Sequence, residues 1–130
     1  MASRRTPLLV LVVAIFLGCQ PATGAKLPWK IDEQTALRLA SEAYGVDEKW
    51  FDYDAGMSRP FFVYYGLTES DGSFGFFAVN PWTGDVWSLW GCRRLSTPVL
   101  RKSQAEIRRR FTRQELKQYR QLAQIKPECI

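Results

Sequence analysis

The sequence predicts a small α+β domain: an N-terminal helix packed on a four-stranded antiparallel meander, with two C-terminal helices covering the sheet. Three observations predict it. Apolar residues recur at helical spacing from Ala36 to Tyr44. Of the 18 aromatic residues, 13 lie between Trp50 and Trp90, in short runs separated by turn-forming residues. From Thr97 onward the chain is rich in helix formers and carries two S/T-x-x-E signatures of helix starts. The 130 residues suffice for one domain with a modest core. The 46% hydrophobic content excludes an intrinsically disordered chain.

Residues 1–25 stand apart from the domain, which occupies 26–130. Arg4 and Arg5 precede ten consecutive apolar residues, Leu8 to Leu17, and then Gly18 and Cys19. A basic start, a short apolar run and small residues form a secretory signal peptide. Ten residues are too few for a helix that must cross a bilayer with about 20. Ile15-Phe16-Leu17-Gly18-Cys19 resembles the bacterial lipobox, and the resemblance implies lipidation of Cys19. Gln20, unlike the aspartate that retains lipoproteins at the inner membrane, then implies an outer-membrane anchor facing the periplasm. Cleavage after Ala25, at Thr23-Gly24-Ala25, is the alternative. Both routes export the protein. Cys92 and Cys129 are left as an even pair in an oxidising compartment, so a disulfide is expected.

Residues 20–30, with Pro21, Gly24 and Pro28, read as a tether. Asp32 is a good N-cap and Gly45 a left-handed C-cap for the first helix. The strands are expected at Trp50–Asp54, Phe61–Thr68, Phe74–Val79 and Val86–Trp90. Glu69–Ser73 and Asn80–Asp85 supply the turns, with Asp71 and Asp85 as turn formers. Strict alternation places Phe61, Val63, Tyr65 and Leu67 opposite Phe62 and Tyr64, and Phe74, Phe76 and Ala78 opposite Phe77 and Val79. Both faces are apolar, so the C-terminal helices are expected on the face that the first helix leaves open. Thr97-Pro98 starts the first of them, with Leu100, Ile107 and Phe111 as its stripe. Ser103–Glu106 and Thr112–Glu115 fit capping boxes, and the second starts a helix whose apolar face is Leu116, Tyr119 and Ala123. Pro127 ends it.

The segment Phe76-Phe77-Ala78-Val79-Asn80-Pro81-Trp82-Thr83-Gly84-Asp85-Val86-Trp87, preceded by one helix and a meander, resembles the PepSY domain. The likeness spans about residues 31–91. It implies a helix on a small antiparallel sheet, an exported or membrane-associated setting, no catalytic residues, and binding or inhibition of peptidases.

The chain has no histidine. That removes Ser-His-Asp triads, Cys-His pairs, histidine-liganded metals and imidazole switches. No phosphate-cradling glycine loop, CxxC pair or metal-ligand spacing is present, and no cofactor is implied. Asp52 and Asp54 share one strand face, yet without a third ligand they read as a solvated edge rather than a catalytic or calcium pair. The formal charge of +5 hides a contrast, with −5 over residues 26–92 and +8 over 93–130. The expected function is therefore non-enzymatic: an exported binding protein that inhibits or neutralises a partner such as a peptidase or toxin in the envelope. The alternative is an envelope structural protein whose basic helices hold anionic lipid or cell-wall polymer. Nucleic acid is excluded by export. The candidate contact residues are Trp82, Trp87 and Trp90 around the last hairpin, and Arg108, Arg109 and Arg113 on the basic helices. Trp82, in a turn, is the leading one.

Overall fold

The computed structural model describes residues 27–57 and 59–130. The expected signal peptide, its two alternative cleavage sites and the expected lipidation at Cys19 lie outside the described residues. No helix among the described residues is long and apolar enough to cross a membrane.

Helix α1 spans Glu33–Tyr44. The Asp32 carboxylate accepts from the Thr35 N–H at 2.8 Å, and the Gly45 N–H donates to the Ser41 carbonyl from φ 78°. A helix start and a left-handed stop are thus both written in the sequence. Its buried residues are Ala36, Leu39, Ala40 and Ala43, small side chains that let the helix lie close on the sheet.

The sheet has five antiparallel strands in chain order: β1 Phe51–Tyr53, β2 Phe62–Leu67, β3 Ser73–Val79, β4 Val86–Ser88 and β5 Arg93–Arg94. The meander is as expected, with three corrections. A short 3-10 turn at Glu48–Trp50 takes Trp50 out of the first strand. β5 is a fifth strand, too short for any alternation to show, and it is reached through left-handed Gly91 and Cys92. In β3 the pairing shifts beside Gly66, so that Gly75 faces Gly66 and Ser73 faces Leu67. Phe74 is the extra residue of this bulge. It therefore leaves the side of Phe76 and Ala78 and packs with Tyr44, Phe51 and Phe77, at ring separations of 4.8, 5.4 and 5.8 Å.

Helices α2, Pro98–Arg108, and α3, Arg113–Ala123, complete the fold. Only the second predicted capping box exists, with Thr112 and Glu115 bonding reciprocally at 3.1 and 2.9 Å. Ser103 lies inside α2, and its hydroxyl donates to the Glu42 carboxylate of α1 at 2.8 Å.

The layering corrects the expectation more deeply. Leu100 and Ile107 of α2, Phe111, and Leu122 of α3 join the α1 side chains over Phe62, Tyr64, Phe77, Val79 and Val86. All three helices thus serve one face. The reason is width: a stripe of three alanines and one leucine cannot cover five strands, and α2 lies beside α1, with Thr97 and Ser103 both bonded to Glu42. The other face is a smaller cluster of Phe61, Val63, Ala78, Trp87 and Leu89. The chain after α3 closes part of it. Ile125 packs against both clusters, the Ile130 N–H donates to the Leu89 carbonyl at 3.1 Å, and Cys92 is bonded to Cys129. The expected disulfide is present, and it staples the tail to the sheet.

Candidate functional site

The residues expected around the last hairpin do not converge. In the β3–β4 turn the Asn80 side-chain oxygen accepts from the Trp82 and Thr83 N–H groups at 2.9 and 3.1 Å, while its amide donates to the Leu122 carbonyl of α3 at 2.9 Å. The Pro81 carbonyl receives the Lys30 and Ile31 N–H groups. The turn is therefore roofed by the N-terminal segment and the end of α3. Trp82 is 1% exposed, and its indole N–H donates to the Leu27 carbonyl at 2.6 Å. The leading contact residue is thus a core residue. A turn normally lies at the surface; here two other segments fold over it.

Trp87 is buried on the opposite face of the sheet, under the Arg94 guanidinium 5.0 Å from its ring centre. Trp90 is 47% exposed beside Phe76, with ring centres 6.1 Å apart. Of the three tryptophans, only Trp90 offers a surface.

The acidic pair is also separated by use. Asp52 is exposed and faces Tyr65 across the strands, and hydrogen bonding to this carboxylate pushes the Tyr65 hydroxyl above its ordinary pKa. The Asp54 carboxylate accepts from the Gly56 N–H at 3.1 Å and shapes the following turn.

The arginines behave differently. Arg108, Arg109 and Arg113 are all exposed, at the corner where α2 turns into α3. The corner is tied to the rest of the domain on its inner side. The Lys30 ammonium meets the Glu115 carboxylate at 2.6 Å and lies 5.0 Å from the Phe111 ring centre, and the Arg110 guanidinium donates to the Lys30 carbonyl at 3.0 Å. Those bonds to Lys30 and to the Thr112 N–H hold the Glu115 carboxyl below its usual pKa. Phe111 packs edge-on to Tyr119 at 5.1 Å, and the Arg108 guanidinium sits 4.8 Å over the Tyr119 ring. Burial pushes the Tyr119 hydroxyl up, an effect that Arg108 opposes.

Outward of this support lies a groove of about 440 Å³, lined by Ala105, Arg108, Arg109, Phe111 and Leu116. Its lining corrects the expected face of α3. Leu122 is the buried residue of that helix, Tyr119 and Ala123 are half-buried, and Leu116 is 39% exposed. Arg113 precedes Leu116 by three positions, so the two share a helix face. Arg113 also places a positive charge in the first turn of α3, where the helix dipole disfavours it by roughly 0.3–1 kcal/mol. Basic side chains thus flank an apolar recess. The sequence signal that marks it is Leu116, an aliphatic residue between Arg113 and Lys117 that the core does not claim.

The ion pair that ties α3 to the rest of the domain joins Lys30 of the acidic half to Glu115 of the basic half.

No protein-family model matches the chain. No curated protein matches it. Among solved structures, a chain of a type VI secretion system effector–immunity complex from Pseudomonas protegens is similar, with 19% identity and a TM-score of 0.49. The similarity covers 71% of this chain and 88% of that one. At this level it transfers neither function nor partner.

Proposed function

We propose that this is a non-enzymatic, exported binding protein that inhibits or neutralises a partner protein in the cell envelope, and that the α2–α3 corner is its contact surface. The observation that carries the reading is the groove, where Arg108 and Arg109 flank a shallow apolar surface at the corner between α2 and α3. Arg113 supports it, because a basic residue in that turn opposes local helix stability and has no packing duty there. The lack of histidine in the sequence supports binding over catalysis. The lipobox-like segment ending at Cys19 supports an outer-membrane anchor facing the periplasm, and the helix, meander and Asn-Pro-Trp-Thr-Gly-Asp turn support a PepSY-like relationship.

The test is cross-linked affinity capture from the envelope fraction, comparing the wild-type chain with Arg108→Ala/Arg109→Ala/Arg113→Ala and with Trp90→Ala. Loss of a defined partner from the triple variant is the expected result. Unchanged recovery from it would remove the corner from the account. Intact mass of the membrane-extracted protein decides lipidation at Cys19.

A second reading, an envelope structural protein held to anionic lipid or cell wall, draws on the excess of +8 over residues 93–130. It predicts salt-sensitive binding of the unlipidated domain to anionic vesicles or sacculi.

A further inference from the structure

We infer that the α2–α3 groove seats one apolar side chain projecting from an acidic segment of the partner protein. The inference rests on the partner-binding reading above and names the chemistry of the ligand.

Shape comes first. The apolar surface of the corner is a shallow, open groove of about 440 Å³ between two helices, with the buried Phe111 ring beside the exposed Ala105 and Leu116. A shallow groove of this kind can seat one side chain laid along it. A bilayer surface is met by apolar groups that project, and the exposed indoles lie elsewhere: Trp29 packs edge-on to Phe62, and Trp90 stands beside Phe76 on the outer face of the sheet.

Charge supplies the rest. Arg108 and Arg109 form the rim, and Arg113 shares the helix face of Leu116. Arg108 is braced over the Tyr119 ring at 4.8 Å, so less side-chain freedom is lost when its planar fork meets a carboxylate. The surrounding tail, residues 93–130, carries +8. A ligand that is only anionic, such as a polymer of the cell wall, would use the arginines and leave the apolar lining in water. A ligand that is only apolar would leave the arginines idle. An acidic segment with one aliphatic or aromatic anchor uses both, in the manner of an amphipathic helix laid in a groove.

The experiment uses the full chain and two synthetic peptides of equal negative charge. One is a helical glutamate-rich peptide with a single central leucine, and the other has serine in its place. Affinities are measured at low and at physiological salt for wild type, Leu116→Ser and Arg108→Glu/Arg109→Glu, with helicity checked by circular dichroism. Leucine burial predicts about tenfold tighter binding of the leucine peptide to the wild type. That preference should vanish in Leu116→Ser, while the charge-reversed variant should lose both peptides, each charge contributing about threefold. Equal affinity for the two peptides, or no binding of either, overturns the inference. So does binding of phosphatidylglycerol vesicles that is equally tight with wild type and Leu116→Ser and stronger than peptide binding. Cellular capture separates this failure from that of the wider reading. A partner retained by Leu116→Ser but lost from Arg108→Glu/Arg109→Glu leaves a binding protein whose basic rim is used and whose apolar lining is not.

Discussion

Replacing Gly66 with alanine would drive a methyl group into the ring of Phe74. A Cβ at Gly66 would stand 2.3 Å from Cε2 and Cζ of that ring and 2.6 Å from Cδ2. Favourable carbon contacts lie near 3.5–4.0 Å, so the ring must move by more than about 1 Å. It cannot do so without leaving Tyr44, Phe51 and Phe77, the three rings it packs against. At roughly 0.5–1.5 kcal/mol for each aromatic pair, with part of the burial of a half-buried phenylalanine, the displacement costs about 3 kcal/mol. Gly66 does not have the left-handed backbone of Gly75 or Gly84, so alanine itself contributes about 0.5–1 kcal/mol in the opposite direction. The expected net loss is about 2 kcal/mol, or roughly 8–15 °C in Tm for a domain of this size. Urea unfolding followed by tryptophan fluorescence measures it in Gly66→Ala, Phe74→Ala and the double variant. With the ring removed, alanine at position 66 should be neutral or stabilising, which gives a coupling of about 2–3 kcal/mol between the sites. An equal penalty for Gly66→Ala in the Phe74→Ala background would refute the placement of the ring.

Four other outcomes follow from the same structure. Gly84→Ala should cost more than Gly45→Ala. Both have left-handed backbones, but a Cβ at Gly84 meets Ile107 Cδ1 at 2.7 Å and Leu39 Cδ1 at 3.1 Å, whereas Gly45 faces open space; parallel thermal melts read the difference. Glu115→Gln should flatten the acid limb of stability. The bonds from Lys30 and Thr112 hold its folded pKa low, so the unfolded chain binds more protons as pH falls. The contribution is therefore present above the ordinary glutamate pKa of about 4.3 and is lost as pH drops through the lower folded value; Tm measured from pH 6 to 3 checks it. Cys92→Ser/Cys129→Ser opens a link across 37 residues and should destabilise the protein by roughly 3–4 kcal/mol, measured by urea unfolding. Trp82→Phe should lose at least about 1 kcal/mol with its bond to Leu27, while Trp90→Ala should stay within about 0.5 kcal/mol in the same assay.

Much of the domain was legible because its signals are short-range. Asp32, Gly45, Thr97-Pro98 and the Thr112–Glu115 box each act within about one helical turn, and each marks an end that the fold contains. The meander followed from turn residues between aromatic runs. Two local signals misled. Ser103–Glu106 satisfies the spacing of a capping box, yet Ser103 spends its hydroxyl on Glu42, 61 residues away in sequence. Phe74 obeys alternation only until a bulge turns it over, and that bulge needed Gly75 in a left-handed conformation opposite a glycine on β2.

The candidate site was half legible. Arg108, Arg109 and Arg113 stood out as a basic run, and it is the tertiary structure that leaves them exposed. Trp82 was misread because a turn looks like surface until Leu27–Ile31 and α3 are placed over it. Leu116 was missed because it fits an apolar stripe with Tyr119 and Ala123. Which stripe of α3 is buried depends on where its axis lies, and Leu122 took that role.

By itself the sequence determined the α+β class, the antiparallel order, the caps, the cysteine pair and the contrast between an acidic first half and a basic tail. These depend on residues that are near in the chain or on simple counts. Only the tertiary structure decided that three helices share one face, that the tail closes part of the other, that Trp82 is core, and that Leu116 is left beside three arginines. Apolar periodicity states that a face must be buried. It does not state against what, because each narrow helix stripe can meet either side of a sheet that is apolar on both.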